Sequence, residues 1–283
     1  MNMMKKLLGA LILLLSCTQV MADDGIKLDK MPDRIHDNAT LQNGAKLFVN
    51  YCLNCHAATS LRYNKLQDIG LTPDQIKDNL LFTSDKIGDL MNVSMSAADG
   101  KKWFGAAAPD LSVMARAKSI NAGPSGGDYI YTYLRSFYRD TTTQTGWDNL
   151  VFPSVGMPHV LWQEQGPREL TTKTIHRVDG ADGQKVWEEL TIEYGPQGYW
   201  TASAKQLDGY TGGATESFEF KALDPDRAKA YDDQAADIAN FMTWMAEPIQ
   251  LKRQQIGIWV LVFLAIFFVA AWRLNATYWK HIK

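Results

Sequence analysis

At 283 residues, 46% hydrophobic and 21% charged, the chain has room for one large domain or two small ones and the composition of a globular protein with a membrane-related segment added. Its net charge of −2 is unevenly spread. Two lysines fall in residues 1–22 and three basic groups in residues 256–283, with no acid in either, so of 29 basic and 31 acidic side chains the intervening stretch keeps 24 basic and all 31 acidic, a balance of −7 that favours a cationic partner over nucleic acid or an anionic substrate.

Met1 to Ala22 reads as an export signal: Lys5 and Lys6 open it, Leu7 to Leu15 form its apolar middle, and Val20-Met21-Ala22 supplies a small-residue cleavage site. The apolar run is too short to span a bilayer. A lipoprotein, acylated at Cys17 after Leu14-Leu15-Ser16, is the alternative, and it too exports the body of the protein.

After the leader, Asp23 to Ala39 is polar and carries a turn at Met31-Pro32-Asp33. Leu41, Ala45, Phe48, Val49 and Cys52 then recur at helical spacing, a single apolar stripe that runs into Cys52-Leu53-Asn54-Cys55-His56. Gly44 on this helix is a point where another helix could approach closely. The pattern C-x-x-C-H marks covalent attachment of a c-type haem, with two thioethers from the cysteines and an axial nitrogen from the histidine. A redox dithiol or half a zinc site uses the same C-x-x-C, but no second cysteine pair exists and no strand precedes the motif. With Cys17 in the leader and the other two cysteines on haem, no thiol remains for a structural disulfide.

Thr72-Pro73-Asp74-Gln75 is a helix start with an N-cap, a proline in the first turn and a capping-box glutamine, and Ser96-Ala97-Ala98-Asp99 is a second, weaker one. Phe82 to Met95 connects them. Gly105 to Asp110 is a small-residue stretch suited to passing a flat ligand, Leu111 to Lys118 reads as a helix carrying Met114 and Arg116, and Gly123 to Gly127 reads as a loop capped by Asp128 before an aromatic-rich helix over Tyr129 to Tyr138. Trp147 to Trp162 is loop-like because Pro153 and Pro158 break helix and sheet alike. Residues 163 to about 222 change character, and alternation in Lys185 to Tyr194 and Ser217 to Phe220 predicts a partly β insertion in a helical domain. Asp224-Pro225 opens a further helix, with Ala235, Ile238, Met242 and Met245 on one face, that Pro248 ends.

Ile256 to Trp272 is an unbroken apolar run of 17 residues that rises about 26 Å and is flanked by Trp272, Tyr278 and Trp279, enough to cross a bilayer. Basic residues flank both ends, so orientation follows from the leader, which exports the domain and leaves the tail inside.

The iron's second axial ligand decides between electron transfer and small-molecule binding. Candidates are Met91, Met95, Met114, Met157, Met242 and Met245, or His36, His159 and His176. Met157 is favoured because Gly156 lets the backbone approach and Pro158 stiffens the loop beyond, and His159 is its close competitor. No side chain is placed for acid/base or nucleophilic chemistry, so a bound cofactor would carry the reaction.

Together, Cys52-Leu53-Asn54-Cys55-His56, Ala108-Pro109-Asp110-Leu111-Ser112, Gly156-Met157-Pro158 and Trp244-Met245-Ala246-Glu247-Pro248 before a single C-terminal anchor resemble the cytochrome c1 family, the haem subunits of the cytochrome bc1 complex. The matches run in family order from about residue 40 to the C-terminus. The resemblance implies one covalent haem c ligated by His56 and Met157, with Arg116 pairing a haem propionate, Tyr129 nearby and Pro109 packing at the haem edge. It implies electrons received from a Rieske iron-sulfur protein and passed to a soluble or membrane-anchored cytochrome c, beside a cytochrome b that oxidises quinol, within a dimeric quinol:cytochrome c oxidoreductase (respiratory complex III). The cysteines that form a disulfide in some members are absent, which leaves the pocket to packing. The fold implied is a mainly α cytochrome c-like domain over residues 23–250 with a partly β insertion at about 163–222. The anchor at 251–283 then holds it to a bacterial inner membrane, with the haem domain in the periplasm and the C-terminus in the cytoplasm.

Overall fold

The computed structural model describes residues 26–121, 123–180 and 184–281. The predicted leader, with Cys17, lies outside them.

Helix α1 (Asn38–Leu47) is capped by Asp37, whose side chain accepts from the Ala39 amide, and it widens into a π-helical turn over Phe48–Cys52. The predicted stripe is its inner face: Leu41, Ala45, Phe48, Val49 and Cys52 are all buried. Strand β1 (Ala58–Arg62) follows, then a 3-10 turn (Tyr63–Ile69) and helix α2 (Pro73–Asn79), which starts with the predicted capping box between Thr72 and Gln75. Strand β2 (Leu90–Met91) returns antiparallel to β1, and helix α3 (Ala97–Phe104) is capped by Ser96.

Several boundaries differ from those predicted. The helix expected over Leu111 to Lys118 contracts to the single turn α4 (Met114–Ala117). The aromatic helix α5 runs Gly126–Arg135, with Ser125 as its cap and Asp128 in the third helical position, closing a capping box. Gly126 and Gly127 are therefore helical residues: a Cβ on Gly126 would collide with the Ala115 carbonyl, and one on Gly127 would lie 2.9 Å from the Met31 and Thr243 side chains. The segment after α5 forms β3 (Phe137–Arg139), paired antiparallel with β4 (Trp147–Asn149), so Phe137 and Tyr138 leave the helix and the predicted loop begins as a strand. At the N-terminal end, the chain turns at Arg34–Asp37, just beyond the predicted Met31-Pro32-Asp33.

After the short helix α6 (Trp162–Gln165) comes the insertion, a four-stranded antiparallel sheet of β5 (Arg168–Asp179), β6 (Lys185–Tyr194), β7 (Trp200–Gln206) and β8 (Thr215–Ala222), in the order β7-β6-β5-β8. Helix α7 (Pro225–Ala246), capped by Asp224 with proline in its first turn, is the centre of the domain: Tyr231, Ala235, Ile238, Phe241, Met242 and Met245 are buried on it. It crosses α1 at Gly44, where a Cβ would meet the Asp237 carbonyl and lie 2.6 Å from the Phe241 Cβ. The Phe48 and Phe241 rings meet beside this crossing at 5.6 Å. Helix α8 (Gln250–Tyr278) closes the chain; it is long and apolar enough to cross a membrane, and its side chains are exposed in the isolated chain.

Candidate functional site

The haem motif sits where α1 stops being a regular helix. The Leu53 amide donates to the Phe48 carbonyl across five residues, and both the Cys55 and His56 amides donate to the Cys52 carbonyl, at 3.1 and 2.8 Å. This tight turn gathers two thiols and an imidazole in five residues. Both thiols are free; Cys52 is buried and Cys55 half-buried, and burial pushes the Cys52 thiol up to about 12 and raises that of Cys55 as well.

His56 Nδ1 lies 2.8 Å from the Pro109 carbonyl. With the proton assigned to Nδ1 to make this hydrogen bond, Nε2 keeps its lone pair for a metal. Burial lowers the pKa of His56, opposed by the Pro109 carbonyl and by Asp110, so the ring is neutral at neutral pH. Pro109 is held in turn by a ladder to the segment after the motif. The Leu111 amide donates to the Ala57 carbonyl at 2.8 Å, Asp110 Oδ2 accepts from the Thr59 amide at 2.9 Å and its hydroxyl at 2.7 Å, and Ser112 Oγ accepts from the Ser60 amide at 2.9 Å. The stretch from Ala108 to Ser112 thus orients the histidine, and Pro109 contributes a carbonyl to it.

Met157 lies on a loop organised by two side chains. Asn149 Oδ1 accepts from the Val151 and Phe152 amides, at 2.9 and 3.1 Å, and Asp148 Oδ1 accepts from the Val155 amide at 3.2 Å. Gly156 lets the loop approach the end of α3, since a Cβ there would sit 2.6 Å from the Phe104 carbonyl. The half-buried Met157 packs on the Phe137, Trp147 and Val155 cluster, and its sulfur is 3.5 Å from the Tyr133 hydroxyl.

His159 is occupied otherwise. It is 2% exposed, stacks on Phe137 at 4.7 Å and 5°, and meets Trp147 edge-on at 5.0 Å. Its Nε2 accepts from the Gln165 amide at 3.2 Å, in the orientation that also lets the Gln165 oxygen accept from Arg168. Burial is the main reason that its pKa falls to about 3. Met91, Met242 and Met245 are core packing, and His36 is exposed on the N-terminal segment.

Arg116, the residue that the resemblance pairs with a haem propionate, is mostly exposed and faces a carboxylate here. Its Nη1 is 3.6 Å from Glu247 Oε2 at the end of α7, and Glu247 also accepts from Arg253 Nε at 2.5 Å. Tyr129 stacks on Tyr133 at 6.1 Å with the Lys118 ammonium 4.6 Å from its ring centroid. Sequence reasoning missed Tyr133, although Tyr129 and Tyr133 are four residues apart, the signal of a shared helical face. The donor set, two free thiols with a neutral imidazole on one turn, suits a thioether-linked haem. Among the described residues, no three His, Cys, Asp or Glu side chains converge to hold a bare ion.

A profile of the Cytochrome C1 family matches residues 29–177 and 219–282, most of the chain. The chain belongs to the cytochrome c1 family. It is 38% identical to cytochrome c1 of Allochromatium vinosum over 281 residues, 99% of this chain and 100% of that protein. It is 37% identical to the ammonia monooxygenase gamma subunit of Nitrosomonas europaea over 282 residues, all of both chains, and 24% identical to cytochrome c1 of Rhodospirillum rubrum over 88% of this chain and 84% of that one. Membership of the cytochrome c1 family implies haem c and the role of an electron-transfer subunit of the bc1 oxidoreductase. Among the described residues one helix, α8, is long and apolar enough to cross a membrane, which fits the one-pass anchor that the family suggests. The family profile passes over residues 178–218, which hold β6, β7 and the outer ends of β5 and β8.

Proposed function

We propose that this chain holds one haem c, bound by thioethers to Cys52 and Cys55 and ligated by His56 and Met157, and that it relays single electrons from a Rieske iron-sulfur protein to a soluble or membrane-anchored cytochrome c. The observation that carries this reading is the His56 ring, which spends Nδ1 on the Pro109 carbonyl and presents a neutral Nε2 from the turn that carries both thiols. Bound haem supplies the one-electron chemistry of its iron. Met157 is the thioether of choice because its loop is hydrogen-bonded into one shape and its neighbour His159 is sealed among rings. Arg116, with its side chain 65% exposed at its ion pair with Glu247, is the propionate partner in this reading, and Tyr129, stacked on Tyr133, lies near the haem.

In this reading residues 1–22 are a leader, residues 23–250 form a periplasmic domain, and α8 docks on cytochrome b in a dimeric complex of a bacterial inner membrane, leaving a short cytoplasmic tail. The acidic balance of the domain steers a basic cytochrome c, so the reaction weakens with rising salt.

The test is an optical and near-infrared spectrum of the detergent-solubilised full chain and of Met157→Leu. The variant is expected to lose the sulfur-to-iron charge-transfer band and to show a large fall in midpoint potential, with haem still attached. An unchanged spectrum assigns the ligand elsewhere.

A further inference from the structure

Among the described residues, Tyr133 is the polar side chain placed against the Met157 sulfur, and any role it has there rests on Met157 being the axial ligand. Its hydroxyl is 3.5 Å from Sδ, within the reach of a hydrogen bond to sulfur. A thioether has lone pairs and no proton, so the phenol must be the donor.

The ring cannot easily turn away. Tyr129 stacks on it at 6.1 Å with the planes 15° apart, and Phe137 meets it edge-on at 5.2 Å and 78°. The backbone is tied to the methionine loop as well: Asn149 Nδ2 donates to the Tyr133 carbonyl at 2.8 Å, while Oδ1 of the same Asn149 accepts from the Val151 and Phe152 amides. One asparagine therefore sets the register between α5 and the loop, and the hydroxyl-to-sulfur contact repeats that register at the side-chain level.

We propose that Tyr133 is a positioning residue for the axial ligand: its hydroxyl occupies one lone pair of the Met157 sulfur, leaves the other for iron, and by withdrawing electron density from the sulfur favours the ferrous state. The ring and the hydroxyl have separable duties, since packing needs the ring and the sulfur needs only the proton.

Tyr133→Phe in the full haem-loaded chain separates them. The variant is expected to keep its haem, its melting temperature and a near-infrared sulfur-to-iron band, with that band displaced. At a fixed ambient potential its ferrous-to-ferric ratio should fall about three- to ten-fold, the equilibrium change of one ordinary hydrogen bond. Replacing tyrosine by 3-fluorotyrosine makes a stronger donor and should move the ratio the other way in the wild type but not in Tyr133→Phe. If Met157→Leu loses the band while Tyr133→Phe matches the wild type in both band and ratio, the Tyr133 role is overturned and the ligand assignment stands. A band unchanged in Met157→Leu overturns both.

Discussion

Asp128 is 3% exposed, yet it stays charged because it is surrounded by donors. Burial alone would raise its pKa, but the Met31 amide at 2.8 Å, the Ser125 amide at 2.9 Å, the Lys30 ammonium at 3.0 Å and the Ser125 hydroxyl outweigh that cost and hold it below the ordinary carboxylate range. This carboxylate clips the N-terminal segment onto α5 and closes that helix's capping box. Because its folded pKa is depressed, its stabilising contribution is complete above the unfolded value of about 3.9 and disappears as pH falls through the folded one. Asp128→Asn should therefore cost about 1–3 kcal/mol at pH 7, the range for leaving buried donors poorly matched, in denaturant titrations of the haem-loaded protein. The gap between variant and wild type should close as the pH is taken below 4. A constant gap across that range would assign the effect to shape and not to charge.

The crossing of α1 and α7 is the contact that places the haem turn, because the π-helical turn and both cysteines hang from the end of α1. Gly44→Ala sets a methyl group against the Asp237 carbonyl and 2.6 Å from the Phe241 Cβ, and neither is a flexible side-chain end that could yield. Alanine gains helix propensity of about 1 kcal/mol, but overpacking of about 1–3 kcal/mol opposes it, so a lowered melting temperature is expected with a disturbed haem spectrum. An unchanged melting temperature would mean that the helices separate freely. Elements of this kind were legible in the sequence, since the stripe from Leu41 to Cys52 and the caps at Thr72, Ser96 and Asp224 are local patterns that the tertiary structure reinforces. The start of α5 was not. Gly126 and Gly127 look like loop residues and are glycine because Ala115, Met31 and Thr243 press on them from distant parts of the chain. The site divides in the same way. Cys52, Cys55 and His56 announce themselves as a motif, whereas the partner of His56 is a backbone carbonyl 53 residues on, and a carbonyl leaves no trace in residue identity. The pairing of Arg116 with Glu247 was equally hidden, because 131 positions separate them and either charge alone reads as a solvated surface group.

At the scale of the molecule, the insertion and the domain that would carry haem are joined at few points. The family profile stops at residue 177 and resumes at 219, while β5 and β8 pair directly, with Ile175 opposite Thr215. Their base stays with the core: Leu170 is 1% exposed, and the Arg168 guanidinium lies over Phe220 at 3.8 Å while reaching the Phe137 carbonyl. The outer hairpin of β6 and β7 touches the domain at its turn, where the Thr141 amide and hydroxyl both donate to the Gly198 carbonyl at 3.1 Å, and at a ring pair, Tyr138 with Tyr194 at 4.8 Å. Replacing residues 176–214 by Asn-Gly turns β5 and β8 into a two-residue hairpin, with the backbone twist such turns favour. The deletion removes both Thr141 hydrogen bonds to Gly198, the ring pair and the β6 ladder along Leu170–Ile175 of β5, so a lowered Tm is expected, with β5 still held by β8. The haem turn, the Pro109 ladder and the Met157 loop all lie outside the deleted segment, so the absorption spectrum and midpoint potential should match the wild type. A shifted potential would show that the sheet acts on the site from outside it. Haem loss would show instead that the sheet is needed to hold the pocket closed, in a chain whose described cysteines are free and form no disulfide to do so.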